Sequence, residues 1–153
     1  MTELDILREA VTYAAKHSHD PRTQVGAVLK AGKRLVYGAN IVPPGVIRDG
    51  DKYAITEHAE RAAIYKAAAT GVPTAGATLY APWFACPDCA RAIILAGVVE
   101  VVGLTYLDYK TPLRWREQVD LAVRMLRQAG VATRWVGNAV GATLLFDGEK
   151  ISC

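Results

Sequence analysis

From residue 77 onward the sequence alternates short apolar runs with amphipathic segments of helix length, and this alternation restricts the possible folds most. Ala77–Tyr80, Val98–Gly103 and Val131–Val136 read as strands. Helices are expected between them, over Pro87–Ala96 and over 114–129, the second marked by Trp115, Val119, Ala122, Val123 and Leu126. A helix joining two strands of one sheet makes a right-handed crossover and leaves them parallel. The three strands should therefore be parallel neighbours.

The first half completes the pattern. Thr2 and Asp5 form a capping box ahead of Leu4, Leu7, Val11 and Ala14, which predicts a helix over about residues 3–17. His17 and His19 close it as surface residues. Gln24–Leu29 and Arg34–Ala39 flank Lys30-Ala31-Gly32-Lys33 as a hairpin that extends the sheet. Residues 40–55, with two prolines and two glycines, read as a loop. Thr56–Thr70 follows as a helix with a small-residue face of Ala59, Ala62, Ala63 and Ala67. Ala142–Phe146 is a candidate terminal strand. The expected fold class is α/β: a three-layer α/β/α sandwich on a five-stranded mixed sheet with its last strands parallel.

At 153 residues, 52% hydrophobic and 22% charged, the chain suits one domain over residues 1–153. The formal charge of +3 is dispersed, which tolerates an anionic substrate but argues against nucleic acid as a partner. No apolar run approaches the roughly 20 residues that span a bilayer, so no membrane partner is expected. The acidic start MTELDILREA is unlike a signal or transit peptide. Three cysteines are too few and too unevenly placed for a disulfide framework. A reducing cytoplasm is the expected location, with Cys153 a bystander.

The chemistry lies in two short motifs. Cys86-Pro87-Asp88-Cys89 alone divides between a redox dithiol and a metal site. His58-Ala59-Glu60 alone means little. Together, each in the first turn of a helix and joined by one strand, they offer one imidazole and two thiolates to a single crevice. Zinc takes those donors, and a catalytic site keeps a fourth position for water. His58, Cys86 and Cys89 are the expected ligands of one zinc ion per chain. Cys86 falls at an N-cap with Pro87 at the first helical position, where the helix terminus favours a thiolate. Two thiolates cancel the charge of the ion and leave its water less acidic, so a base is needed. Glu60, two residues from His58, is off the ligand face and placed to move that proton.

His58-x-Glu60 followed by Cys86-x-x-Cys89 resembles the zinc-dependent cytidine and deoxycytidylate deaminase superfamily. Gln24-Val25-Gly26-Ala27-Val28, the Asn40 loop, GATLY at 76–80 and CARAIILAGVVEVV at 89–102 carry the likeness over most of the chain. The resemblance implies a cytidine-deaminase-like sandwich and hydrolysis at the amino-bearing ring carbon. Glu60 would shuttle protons, the Ala59 N–H would hold the pyrimidine carbonyl, and Asn40 would bond a sugar hydroxyl. It also implies a homo-oligomer, a dimer or larger. Three features depart from the pattern: Ala85 in place of proline before the first cysteine, Trp83-Phe84 in place of a Thr-containing stretch just ahead of it in the pocket wall, and no Cys or His over 43–55 for an extra structural zinc.

Within the family that it resembles, the helix over 114–129 argues for a parallel last pair of strands, as in the deoxycytidylate and tRNA-adenosine deaminases. A tRNA enzyme should show a more concentrated basic, aromatic surface, so with cations dispersed here conversion of dCMP to dUMP is the leading expectation. Another nucleoside or base, cytidine, cytosine, a purine or a modified ring, is the alternative. Arg22, Lys52, Lys110 and Arg114 lie in loops able to border the site; Arg114 is chosen for the phosphate and Tyr109 for stacking on the base. A thioredoxin-like dithiol is a remote rival, because two residues separate Trp83 from Cys86 and the last proline, Pro112, opens a helix. A purely structural zinc clip would want a fourth protein ligand that His17, His19 and Cys153 do not offer at a recognisable spacing.

Overall fold

A computed structural model describes residues 1–84 and 86–153. Helix α1 (Glu3–His17) is followed by β1 (Gly26–Ala31) and β2 (Arg34–Ala39). Then come a single turn α2 (Lys52–Ile55), α3 (Ala59–Ala69), β3 (Thr78–Tyr80) and α4 (Pro87–Leu95). Strand β4 (Glu100–Leu104) runs straight into α5 (Thr105–Tyr109); α6 (Leu113–Gln128), β5 (Ala132–Val136), β6 (Thr143–Phe146) and β7 (Glu149–Ser152) complete the order.

Five strands form one sheet in the order β2-β1-β3-β4-β5. β1 is antiparallel to β2 and β3, whereas β3, β4 and β5 run parallel, as the crossover helices require. Successive side chains point to opposite faces of a strand, so each central strand feeds two cores. Ala27, Leu29, Leu79 and Val101 pack with α3, α4 and α6, while Val28, Tyr80, Val102 and Leu104 pack with α1 and β6. That is the expected three-layer sandwich with its last strands parallel.

Helix α1 shows which forces fix an outer layer. Thr2 and Asp5 make the reciprocal capping box, an effect of about 1 kcal/mol. The same helix buries Ile6, Leu7, Ala10, Val11 and Ala14, and each large apolar side chain contributes about 1.5–3 kcal/mol. Burial of the apolar face therefore dominates, and the cap sets where the helix starts.

Helix α3 lies unusually close to β2. A Cβ on Gly38 would stand 2.2 Å from the Ala59 carbonyl oxygen and 2.5 Å from the Ala63 nitrogen. Only glycine permits this approach, and it sets the depth at which the first turn of α3 reaches the sheet.

Two expectations change. The 40–55 loop contains α2, and α5 follows β4 where no helix is expected. Both are too short for helical periodicity to register. The candidate terminal strand forms as β6 and pairs with the unforeseen β7 as a hairpin separate from the main sheet. Cys153, expected as a bystander, is buried beside β6 and β7. The cysteines are free, and no helix among the described residues is long and apolar enough to cross a membrane.

Candidate metal centre and substrate cavity

His58 is the N-cap of α3 and Cys86 the N-cap of α4, yet neither side chain caps its own helix. Both turn instead toward the same point. His58 Nδ1 lies 3.4 Å from the sulfur of Cys86 and 3.4 Å from that of Cys89. The two sulfurs are 3.8 Å apart. A tetrahedral zinc site with metal–sulfur bonds of about 2.3 Å and a metal–nitrogen bond of about 2.05 Å sets these separations near 3.8 Å and 3.6 Å. The donors fit zinc in both type and spacing.

Several contacts hold the two helix termini in register. Glu57 exchanges backbone hydrogen bonds with Ile41, at 2.7 and 3.1 Å, pinning the residue before the histidine. Its carboxylate accepts the backbone N–H of His58 at 2.8 Å and the Arg61 guanidinium at 2.5 Å. Arg61 also reaches Asp88 at 3.6 Å, which ties the first turn of α3 to that of α4. Neither Glu57 nor Arg61 is singled out by the sequence: their i,i+4 spacing is common to any helix surface, and the reach from Arg61 to Asp88 runs between two helices with no local period to reveal it.

The thiols are electrostatically unequal. The neighbouring Cys89 side chain draws Cys86 down to about 4; burial opposes this, and the His58 imidazole assists it. Cys89 is pushed far above the ordinary thiol range by the contact with Cys86, by burial and by the nearby Glu60 carboxylate. His58 is raised by its bond to Cys86, against the effect of burial. Glu60, 3% exposed, is raised by burial, with the His58 charge partly offsetting the effect.

His58, Glu60 and Cys86 line a cavity of about 640 Å³, a volume within the range of about 300–1,000 Å³ typical of small-molecule sites. Ala59 is the first residue of α3, so its N–H has no intrahelical acceptor and is free for a ligand. Asn40 lines the cavity at 7% exposure. Its Oδ1 accepts from Ser18 Oγ at 2.5 Å and from the Val25 N–H at 2.9 Å, and its Nδ2 donates to the Thr23 carbonyl at 2.8 Å. One amide hydrogen is left for a ligand. Asn40 thus both knits the segment before β1 to the end of β2 and faces the site.

Arg114 borders the cavity, as do Arg22 and Lys52, but Lys110 does not. Tyr109, chosen for stacking, is not brought to the site: it ends α5 at 82% exposure and is absent from the lining. The aromatic walls come from Tyr53, Trp83, Phe84 and Trp115. Ala85, the departure before the first cysteine, lies outside the described residues. His19 is structural: its Nδ1 accepts the Val42 N–H at 2.9 Å. A second cavity of about 440 Å³, between α6 and β5, includes none of the triad.

Comparison with known proteins follows the same line. Residues 1–105 match a family model described as the cytidine and deoxycytidylate deaminase zinc-binding region. An uncharacterized deaminase from the luxG 3′ region of Aliivibrio fischeri is 36% identical over 129 residues, covering 78% of this chain and 83% of that protein. Deoxycytidylate deaminase of Homo sapiens is 33% identical over 106 residues, 60% of this chain and 58% of that protein. Among solved structures, apo dCMP deaminase from the cyanophage S-TIM5 superposes with a TM-score of 0.70 at 23% identity, over 89% of this chain and all of that one (100%). At that identity the likeness is one of fold.

Proposed function

This chain belongs to the cytidine and deoxycytidylate deaminase family, and on that premise we propose that it hydrolyses dCMP to dUMP and ammonia. The observation that carries the reading is the meeting of His58, Cys86 and Cys89 beside a buried carboxylate at the floor of a nucleotide-sized cavity. In this reading the three are the ligands of one zinc ion. Bound there, zinc supplies a Lewis-acid centre that acidifies a water molecule.

The remaining work falls to the chain. Glu60 is nearly buried at the cavity lining and burial raises its proton affinity, which suits it to take a proton from water and return it. It delivers protons to the ring nitrogen and to the departing amino group. Water oxygen replaces the amine at the ring carbon, and ammonia leaves. The Ala59 N–H holds the pyrimidine carbonyl, and the spare Asn40 amide hydrogen meets a sugar hydroxyl. Trp83, Phe84 and Trp115 shield the ring from bulk water, and Arg114 faces the phosphate. Tyr109 has no part in this arrangement.

Ammonia release across cytosine, cytidine, deoxycytidine, CMP, dCMP and purine analogues tests the assignment. The expected ranking puts dCMP first. Turnover restricted to purines would overturn the pyrimidine reading, and equal turnover of dCMP and deoxycytidine would overturn the nucleotide reading. Cytoplasmic location and a homo-oligomeric state are part of the same proposal, supported by the free cysteines and by family membership.

A further inference from the structure

The turn of the C-terminal hairpin forms part of the cavity wall. Asp147 and Gly148 join β6 to β7 with φ of 49° and 85°, the backbone of a two-residue Asp-Gly turn of the type I′ kind. The hairpin is fastened to the segment before β1. Gln24 N–H donates to the Leu145 carbonyl at 2.8 Å, and the Leu145 N–H donates to Gln24 Oε1 at 2.7 Å. The Asp147 N–H donates to Thr23 Oγ at 3.1 Å, and the Gly148 N–H donates to the Arg22 carbonyl at 2.9 Å. This wall lies beyond the residues matched by the family model, which end at 105.

The Asp147 carboxylate sits between two cavity cations. It accepts from Arg114 at 2.6 Å and stands 3.9 Å from Arg22. The third cation at the mouth, Lys52, is bonded to Asp20 at 3.0 Å. Three positive groups thus face two carboxylates, and each cation already has an anionic neighbour before a ligand arrives. A ligand phosphate must take Arg22 and Arg114 from Asp147, or approach them beside a like charge.

We propose that Asp147 is a specificity-determining residue that competes with an anionic substrate group for Arg22 and Arg114. It lowers the preference of the site for a nucleoside monophosphate over the corresponding nucleoside. The inference rests on the deaminase reading of the cavity for its consequence in catalysis, while the competition itself is a matter of anion binding.

The variants Asp147→Asn and Asp147→Gly test it. Asn-Gly and Gly-Gly are both compatible with the same turn, so the hairpin is retained while the charge is removed. The first measurement is a titration of intrinsic tryptophan fluorescence with inorganic phosphate. The Arg114 guanidinium lies 5.9 Å from the Trp115 ring, so Trp115 reports on its exchange of partners. Both variants are expected to bind phosphate at least about threefold tighter, the scale of one exposed ion pair. Unchanged or weaker binding would overturn the proposal. The second measurement is kcat/KM for dCMP relative to deoxycytidine, and this ratio is expected to rise by a similar factor. A fall in the ratio would also overturn it. If the wild-type protein releases no ammonia from either pyrimidine while phosphate binding tightens in both variants, the deaminase reading fails and the competition stands.

Discussion

The carboxylate of Glu60 lies 3.6 Å from the sulfur of Cys89, inside the protein and on the cavity side of the imidazole–thiolate cluster. It is therefore near enough to exchange a proton with a water at the cluster. Glu60→Gln retains the shape and removes the basicity. Ammonia release should fall by about 10²- to 10⁴-fold, the usual contribution of a positioned acid–base group. Zinc content, measured by atomic absorption, should remain at one ion per chain. Loss of metal together with activity would instead make Glu60 part of the coordination shell.

The three ligand atoms come from two helix termini, so a metal ion there joins α3 to α4. A ligand that binds the folded state and not the unfolded one adds to stability. Chelation should abolish ammonia release and lower the Tm, and added zinc should restore both. His58→Ala and Cys89→Ala should lose stoichiometric zinc. A chelated protein with full turnover would remove the basis for metal-assisted hydrolysis.

Gly38 sets the seat of α3. With a Cβ only 2.2 Å from the Ala59 carbonyl, Gly38→Ala must push the first turn of the helix outward. Overpacking of this kind costs about 1–3 kcal/mol. Because that turn carries His58, Ala59 and Glu60, zinc affinity should fall along with the denaturation midpoint. Wild-type zinc affinity in a destabilised Gly38→Ala protein would show that the metal site is independent of this contact.

Much of this could be read from the residues because the governing signals are local. The strands Thr78–Tyr80 and Glu100–Leu104, the intervening helix and the Cys86 N-cap each follow from spacing within a dozen residues. His58 and the two cysteines were also legible, since zinc chemistry restricts which side chains can share a site. The cavity mouth was not. Asp147 reaches Arg114 across 33 residues, and no sequence period encodes such a pairing. Tyr109 lies outside the cavity lining for a related reason: the short helix after β4 leaves it exposed, and that helix is invisible to periodicity. Trp115, whose place in the sequence marks the helix over 114–129, lines the cavity instead.

Asp20 supplies a pH dependence at the cavity rim. Burial raises its carboxyl, but the N–H groups of Thr23 and Arg22 and the bond to Lys52 outweigh this and leave it below the ordinary value. A depressed folded-state value means a stabilising contribution that is complete above the unfolded value of about 3.9. It is lost as pH falls through the folded value. The difference in Tm between wild type and Asp20→Asn should therefore be greatest at neutral pH and shrink below about pH 4. A difference that grows on acidification would contradict the assignment.

Asn40 separates a structural from a ligand-binding role. Its side chain satisfies Ser18 Oγ, the Val25 N–H and the Thr23 carbonyl, all in a nearly buried setting. Asn40→Ala leaves those groups without their partner, and each unsatisfied buried group costs about 1–3 kcal/mol. A clear loss of stability is expected. Asn40→Asp is the sharper test, because it keeps the acceptor and removes both amide donors. If the spare hydrogen meets a sugar hydroxyl, this variant should raise KM for deoxycytidine and dCMP while leaving KM for free cytosine unchanged. An equal rise for all three would confine Asn40 to holding the segment before β1 in place.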